Sequence, residues 1–533
     1  MTSAAATNSD DSYDSSLTHR LLILVMVILG TTIYASSILI ASALLPKMQG
    51  ALAATQDEVS WTMTFNIVAT AVATPMTGWL ADRFGRRNVM VWCAAIFAIA
   101  TLFCGLSTSL WEMIGWRIIQ GAAGAPLVPL GQTILMDAYP RRQHNMIIAI
   151  YGMANMIGPI LGPTVGGEIS ELYGWRWGFW IIVPVAAITA IGFALVLDRD
   201  VPEGRARLDW TGFLSLSIAI GGAQLVFSRG QRLDWFDATE IVAVTFLAAT
   251  AFYMFVIHSL TAERPFIRLR LLRDQNYAIG LLLVLLFGML NFAPIVLLPP
   301  FLQQHAGFPD DAIGWVIAWR GLGAAAGFFI AMLLGKLDPR VVMMLGILLQ
   351  TIAGYQLIGF ALDIDRTGLA VNMFAQGVSV GLVWVPMTVV TFWTLEQKYR
   401  AEGMAMFHLL RNFGSSLFIS IAVAEIVRTA SANYARLTEF ASLHNRAWSL
   451  PWATGRWSLE DAQSAASFGR EINRQATLIG YTNAFVLFTL ASAAMIPLVL
   501  LARLPKTADT ESANDPGETP EDDDDELSKP DKT

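Results

Sequence analysis

Fourteen stretches of about 20 residues, each nearly free of charge, run through this chain from one end to the other. Coiled as a helix, such a run matches a bilayer's hydrocarbon core, about 30 Å thick. The runs centre near Ile33, Ala71, Ile99, Pro126, Met156, Ala187, Ile218, Leu247, Leu290, Gly323, Gln350, Gly381, Ser416 and Ala491. Lipid offers no water to unpaired backbone groups, so spanning segments are helices or closed barrels. Barrel strands alternate in polarity, and these runs do not. The expected fold class is an all-α polytopic membrane protein. Composition agrees: the 533 residues are 55% hydrophobic and 14% charged, against about 25% charged in soluble domains. A soluble enzyme is excluded because the chain cannot supply the polar skin it would need.

Charge sets the expected topology. With the N-terminus inside, the inner segments hold nineteen Lys and Arg, among them Arg83, Arg86, Arg87, Arg141, Arg142, Arg268, Arg270, Arg273, Lys336, Arg340, Lys398 and Arg400. The short outer loops hold five: Lys47, Arg176, Arg229, Arg232 and Arg366. Positive charge accumulates on the cytoplasmic side, so both termini are expected there. The net charge of −7 belongs to the tail, where Thr507–Thr533 carries 11 acidic residues and two lysines. The rest of the chain is almost neutral, and it has no basic face for nucleic acid.

The expected organisation is a disordered N-terminal tail (1–18), a six-helix bundle (19–198), two inserted spans with linkers (199–273), a second six-helix bundle (274–504) and an acidic disordered tail (505–533). The second bundle contains an external loop, 428–477, whose Trp448, Trp452 and Trp457 suggest an element on the membrane surface. Residues 1–18 lack the basic n-region and cleavage site of a signal peptide. Cys93 and Cys104 fall in one apolar run and read as small buried hydrophobes.

The halves echo one another. Arg117-Ile118-Ile119-Gln120-Gly121 precedes Pro129, and Met373-Phe374-Ala375-Gln376-Gly377 precedes Pro386 at nearly the same spacing. Transporters are often built from internal repeats that hold substrate between them near the bilayer midplane. The second span ends in a sharp basic turn, Gly78-Trp79-Leu80-Ala81-Asp82-Arg83-Phe84-Gly85-Arg86-Arg87. In the fifth span, Gly158-Pro159, Gly162-Pro163 and Gly166-Gly167 place glycines four apart on one smooth face, which lets another helix approach closely.

The turn resembles the loop signature of the major facilitator superfamily at every defined position. Arg117, Gln120, Gly121 and Gly124 resemble its fourth-span pattern, and the fifth-span glycines resemble its antiporter signature. Leu298-Pro299-Pro300, Arg320-Gly321-Leu322-Gly323 and Arg411-Asn412-Phe413-Gly414 extend the likeness. From about Leu21 to Leu504 the chain is similar to the fourteen-span drug:proton antiporters of the EmrB/QacA type. The resemblance implies the major facilitator fold: two six-helix bundles plus two extra central spans. It also implies a proton-driven exporter of lipophilic or amphipathic small molecules in a bacterial inner membrane. In the EmrB branch it implies a periplasmic adaptor and an outer-membrane channel as partners. Relatives often carry an Asp in the first span; here Ser37 stands in its place, and that span has no carboxylate. Either the proton site lies elsewhere or coupling differs.

An ionisable residue within a span suggests function. Arg117, Glu58 and Glu168 are the candidates for proton coupling and gating. Asp137 is expected to join Gly78, Asp82, Arg83, Gly85, Arg86 and Arg87 in a conformational latch. Arg320 and Arg411 suit either function or the holding of helix ends. Gln132, Asn155, Asn291, Phe292, Gln376, Trp384 and His408 are the candidate walls of a substrate cavity. No G-x-x-x-x-G-K-S/T phosphate loop occurs, so the proton gradient is the expected energy source, with no cofactor. No H-E-x-x-H or C-x-x-C suggests a metal. Gly377-Val378-Ser379-Val380-Gly381 matches G-x-S-x-G, but it lies inside a helical run rather than at a strand-to-helix turn. Two other readings stand: an exporter of one metabolite, siderophore or lipid-like product, and a non-transporting membrane scaffold or sensor.

Overall fold

A computed structural model describes residues 17–199, 208–263, 265–304, 306–359, 365–442, 445–446, 450 and 461–502. Trp448, Trp452, Trp457 and the acidic tail lie outside the described residues. The helices are α1 (Leu17–Ala51), α2 (Gln56–Ala73), α3 (Thr77–Phe84), α4 (Arg86–Leu106), α5 (Leu110–Gly124), α6 (Leu127–Ala138), α7 (His144–Tyr173), α8 (Trp175–Trp180) and α9 (Ile182–Val196). They continue with α10 (Trp210–Arg229), α11 (Thr239–Thr261), α12 (Gln275–Gln304), α13 (Asp310–Leu333), α14 (Pro339–Ile358), α15 (Arg366–Trp393), α16 (Arg400–Glu439) and α17 (Ala462–Leu501). Among the described residues there is no strand.

Three pairs, α2–α3, α5–α6 and α8–α9, each make one broken pass, so the chain runs through fourteen helical passes among the described residues. Twelve are long and apolar enough to cross a membrane. The other two are α2–α3, which is richer in polar residues, and α7, several of whose side chains lie outside those described. The stretch expected as an external loop, 428–477, is helical at both ends: α16 continues to Glu439 and α17 begins at Ala462. Each of these helices has 40 residues, about 60 Å of helix, so both outrun a hydrocarbon core of about 30 Å.

Local chemistry sets the ends of these helices. Ser109, Asp209, Asp365 and Asp461 accept hydrogen bonds from backbone N–H groups in the first turns of α5, α10, α15 and α17. Between α3 and α4 the chain turns at Gly85 with φ 81°, a conformation that glycine adopts without a steric cost. That turn sets Arg86 and Arg87 at the head of α4.

Buried side chains fall into two large clusters. One draws on α1–α9, the other on α12–α17. Met136, Ile148 and Ala149 of the first half belong to the second cluster, so the halves share core where they meet. The inserted helix α10 lies along this seam: Ser228 Oγ is 3.0 Å from Thr64 Oγ1 of α2, and Gln224 Nε2 donates to Ser416 Oγ of α16 at 2.5 Å. Its partner α11 exposes Phe246, Leu247, Phe252 and Tyr253, a surface suited to lipid.

The glycines of α7 bring it onto α1. A Cβ at Gly158 would lie 2.7 Å from the Thr32 carbonyl oxygen, and one at Gly162 2.5 Å from that of Ser36. Ser36 Oγ donates to the Gly158 carbonyl at 2.9 Å, and Thr32 Oγ1 to that of Ala154 at 3.2 Å. On another face of α7, Gly152 lies against the Phe328 ring of α13. Gly162→Ala should therefore destabilise the protein by about 1–3 kcal/mol through overpacking. Gly50→Ala, where the added carbon meets nothing within 4 Å, should change stability by no more than about 0.5 kcal/mol. Thermal unfolding of the two purified variants checks this pair.

Candidate functional site

The two halves are tied together at the end of the bundle that carries the Gly78–Arg87 turn, here called the basic end. Asp137, at the end of α6, accepts from Arg86 Nη1 at 2.5 Å and from Arg400 Nη1 at 2.8 Å. Arg86 belongs to the first half, and Arg400 opens α16 of the second. The Asp137 and Arg400 side chains are only 12% and 9% exposed, so water screens this bridge weakly. Nearby, Gly78 lies directly against the Glu402 backbone of α16. Asn145 Nδ2 donates to the Gly335 carbonyl at 3.1 Å, a second bond across the seam. Arg87 donates to the Ala194 carbonyl of α9, whereas Asp82 and Arg83 are exposed at the surface of the turn.

Deeper in, each half holds a buried arginine paired with a glutamine. Arg117 of α5 donates from Nη1 to Gln120 Oε1 at 2.5 Å and to the Ser37 carbonyl at 3.1 Å, and from Nε to the Thr62 carbonyl at 3.3 Å. Gln120 Nε2 donates onward to Thr101 Oγ1 at 2.7 Å. One guanidinium thus joins α1, α2 and α5. In the second half Arg320 of α13 donates from Nη1 to Gln376 Oε1 at 2.9 Å and from Nη2 to the Asn291 carbonyl at 2.6 Å. Gln376 Nε2 donates to Asn372 Oδ1 at 2.7 Å. The sequence echo explains the difference. Met373 occupies the place of Arg117, and a neighbouring helix supplies the arginine instead.

Between the halves lies an aromatic junction. The His408 ring donates from Nε2 to Gln132 Oε1 at 2.7 Å, linking α16 to α6. The Trp384 ring lies 5.8 Å from His408, 5.5 Å from Phe407 and 5.4 Å from Phe287. Arg411 holds its guanidinium carbon 5.4 Å from the centre of the Trp384 ring. Of the residues expected to line a substrate cavity, Gln132, Trp384 and His408 meet here. Asn155 is buried on α7, and Phe292 is half-buried on α12.

Other candidates are placed differently. Both ends of the Gln376 amide are engaged within the second half, and the Asn291 carbonyl is held by Arg320. These two brace α12, α13 and α15. Glu58 does not meet Arg117. Its Oε2 accepts from Thr55 N and Thr55 Oγ1, both at 2.9 Å, while Thr55 Oγ1 caps Glu58 N. This is a capping box at the start of α2, and the pattern Thr55-x-x-Glu58 shows it in the sequence. Glu168 is exposed. Of the antiporter glycines, Gly158 and Gly162 face the α1 backbone and Gly166 faces Ile40. Pro159 is half-buried, and the surroundings of Pro163 and Gly167 lie outside those described. The sequence reading missed Arg400 as the partner of Asp137 and Asn372 as the support of Gln376. Arg400 had counted only as a charge that sets topology.

A family model, the Major Facilitator Superfamily, matches residues 26–271 and 280–432. The chain belongs to that superfamily. It is 30% identical over 482 residues to the multidrug export protein EmrB of Escherichia coli K12, covering 87% of this chain and 92% of that protein. It is 29% identical to the fatty acid resistance protein FarB of Neisseria gonorrhoeae, over 90% of this chain and 94% of that one. Such relatives support membership of the EmrB-type drug:proton antiporter family. The fold is shared with the proton:xylose symporter XylE, at TM-score 0.57 and 13% identity, over 91% of this chain and 99% of that one. It is also shared with the human organic anion transporter MFSD10, at TM-score 0.55 and 15% identity, over 90% of this chain and 100% of that one. The expected all-helical major facilitator fold is therefore the one adopted. The superfamily is one of membrane transporters, which places the chain in a bilayer with a small-molecule cargo.

The clamp carries a testable consequence. Val389 lines the small cavity beneath it, with Met136, His144, Phe392 and Arg400. Asp137→Asn should shift the closed-to-open balance at the basic end by about 1–3 kcal/mol, about 5- to 150-fold. A water-soluble maleimide should then label a Val389→Cys reporter faster by up to that factor. Arg400→Gln should act alike, and the double variant should add little. Unchanged labelling would mean that the bridge does not hold the seam shut.

Proposed function

We propose that the chain is a secondary active exporter of lipophilic or amphipathic small molecules, driven by inward proton flow across a bacterial inner membrane. The observation that carries this reading is the Asp137 bridge, which holds one arginine from each half and so closes one end of the path. A transporter that rocks two bundles needs a breakable tie of this kind at one end. Printed names of relatives agree: multidrug export for EmrB and fatty acid resistance for FarB. The excess of Lys and Arg at the basic end supports a cytoplasmic position for that end and for both termini. In this conformation the cytoplasmic entrance is shut. A periplasmic adaptor and an outer-membrane channel are the partners that the EmrB likeness supports.

For the proton we propose Glu58, with Glu168 as a second carrier. Both lie towards the end opposite the clamp. Glu58 sits one helical turn from Thr62, whose carbonyl accepts from Arg117. Protonating Glu58 would weaken the capping box and free the start of α2 to move against Arg117. A second reading, export of one lipid-like product, is favoured by Ser37 standing where a cation-binding carboxylate is common.

Proteoliposomes with an imposed pH gradient test the function. Cargo should move against its own gradient only while the proton gradient lasts. Substrate-induced proton release should fall several-fold in Glu58→Gln or Glu168→Gln. Release undiminished in both variants would remove these carriers, and transport that ignores the pH gradient would remove proton coupling.

A further inference from the structure

Among the described residues, every charged side chain in the buried class is an arginine: Arg117, Arg320, Arg400 and Arg411. Three of them bond to residues of other helices, although Arg117 Nη2 and Arg400 Nε are themselves buried without a protein acceptor. Arg400 meets Asp137, while Arg117 and Arg320 meet carbonyls and glutamines. Arg411 is different. It is 9% exposed, and its hydrogen bonds run from Nε and Nη2 to Oδ1 of its neighbour Asn412, at 3.4 and 3.2 Å. Among the described residues its Nη1 has no protein acceptor, and no carboxylate neutralises it. A buried charge in this condition is costly unless something completes it.

The surroundings show what would complete it. Trp384 covers one side of the guanidinium, with Phe287 and Phe407 packed behind the indole. Trp384 Nε1 and Gln132 Nε2 are buried donors without a protein partner. Tyr34 and Tyr151 of the first half lie within electrostatic range of Arg411. The site therefore offers one full positive charge, spare N–H donors and an aromatic wall, at the place where the halves meet.

We propose that Arg411 is the headgroup site of the translocation path, and that its cargo is an amphipathic monoanion. The cargo carries a carboxylate or sulfonate at one end and an apolar body at the other. The head accepts from Arg411 and from the spare donors of Trp384 and Gln132, and the body lies along the aromatic wall. A cationic amphiphile of the same shape brings like charge to Arg411 and is rejected. The inference deepens the export reading and rests on it for the direction of transport, but the selectivity is a property of the site alone.

The test is equilibrium binding to the full chain in lipid nanodiscs, with empty nanodiscs as the partition blank. The probes are laurate, dodecanol and dodecyltrimethylammonium, which share a tail and differ in head charge. Laurate should bind at least about tenfold more tightly than dodecanol, the increment of one hydrogen-bonded charge pair. Dodecyltrimethylammonium should bind more weakly than dodecanol. Arg411→Gln should bring laurate down to the level of dodecanol while leaving dodecanol within about threefold of its original affinity. Arg411→Lys should keep most of the preference for laurate. The proposal is overturned if the native chain binds the cation as well as the anion, or if Arg411→Gln keeps the preference. Should Arg411→Gln fail to fold, the native selectivity and the Lys variant decide. Anion binding without gradient-driven transport would sink the export reading and leave the site standing.

Discussion

A polar group in hydrocarbon has no water to turn to, and the rest of this structure follows from that deficit. The backbone answers it by coiling. Threonine and serine hydroxyls answer it by bonding back to carbonyls one turn earlier, as Thr101, Thr133, Thr388 and Thr391 do. Glycine has no side chain to accommodate and brings α7 onto α1 closely enough for Ser36 and Thr32 to reach the facing backbone. Two of the buried arginines follow the same rule in large part. Arg117 and Arg320 bind carbonyls and amides and thereby tie several helices at one point.

Because the ties within each half are made by buried groups, each half behaves as one body. The ties between halves are of another kind. At the basic end they are one largely buried carboxylate that holds two arginines, and the Asn145–Gly335 hydrogen bond. At mid-depth the tie is a single hydrogen bond, from His408 to Gln132. Opening the seam at the basic end therefore breaks few polar ties, and it parts Met136, Ile148 and Ala149 from the second core cluster. The inserted helix α10 rests on both sides of it through Ser228 and Gln224, a position that lets it follow such a motion.

The architecture was legible in the sequence because its signal is local. A run of 20 apolar residues announces a span wherever the rest of the chain goes. The turn at Gly85 was equally plain. So was the pairing of Asp137 with Arg86 of that turn, since charges stranded at the same end of neighbouring helices have few other partners. What the sequence hid was pairing between distant helices. Arg320 and Gln376 lie 56 positions apart, and the repeat pointed to Met373 rather than to the arginine that replaces it. Arg400 looked like a topology signal because a basic residue at a helix end usually is one. Glu58 is the opposite case: the Thr55-x-x-Glu58 capping box is a local pattern, and it is formed as the spacing implies. Hydropathy is weakest for α2–α3, whose polar residues bond within the first half, as Asn66 and Thr70 do to carbonyls of α5.

The central claim is that two rigid halves pivot about the junction, so that closing one end opens the other. Spin labels can test it directly, in a background with Cys93 and Cys104 replaced. One pair, at exposed Asn88 and Leu337, spans the basic end; the other, at exposed Thr108 and Thr367, spans the opposite end. Electron–electron distances should change reciprocally when Asp137→Asn releases the clamp: the first pair moves apart by several ångströms, and the second draws together. Distances that stay fixed at both ends, or lengthen at both, would contradict the account.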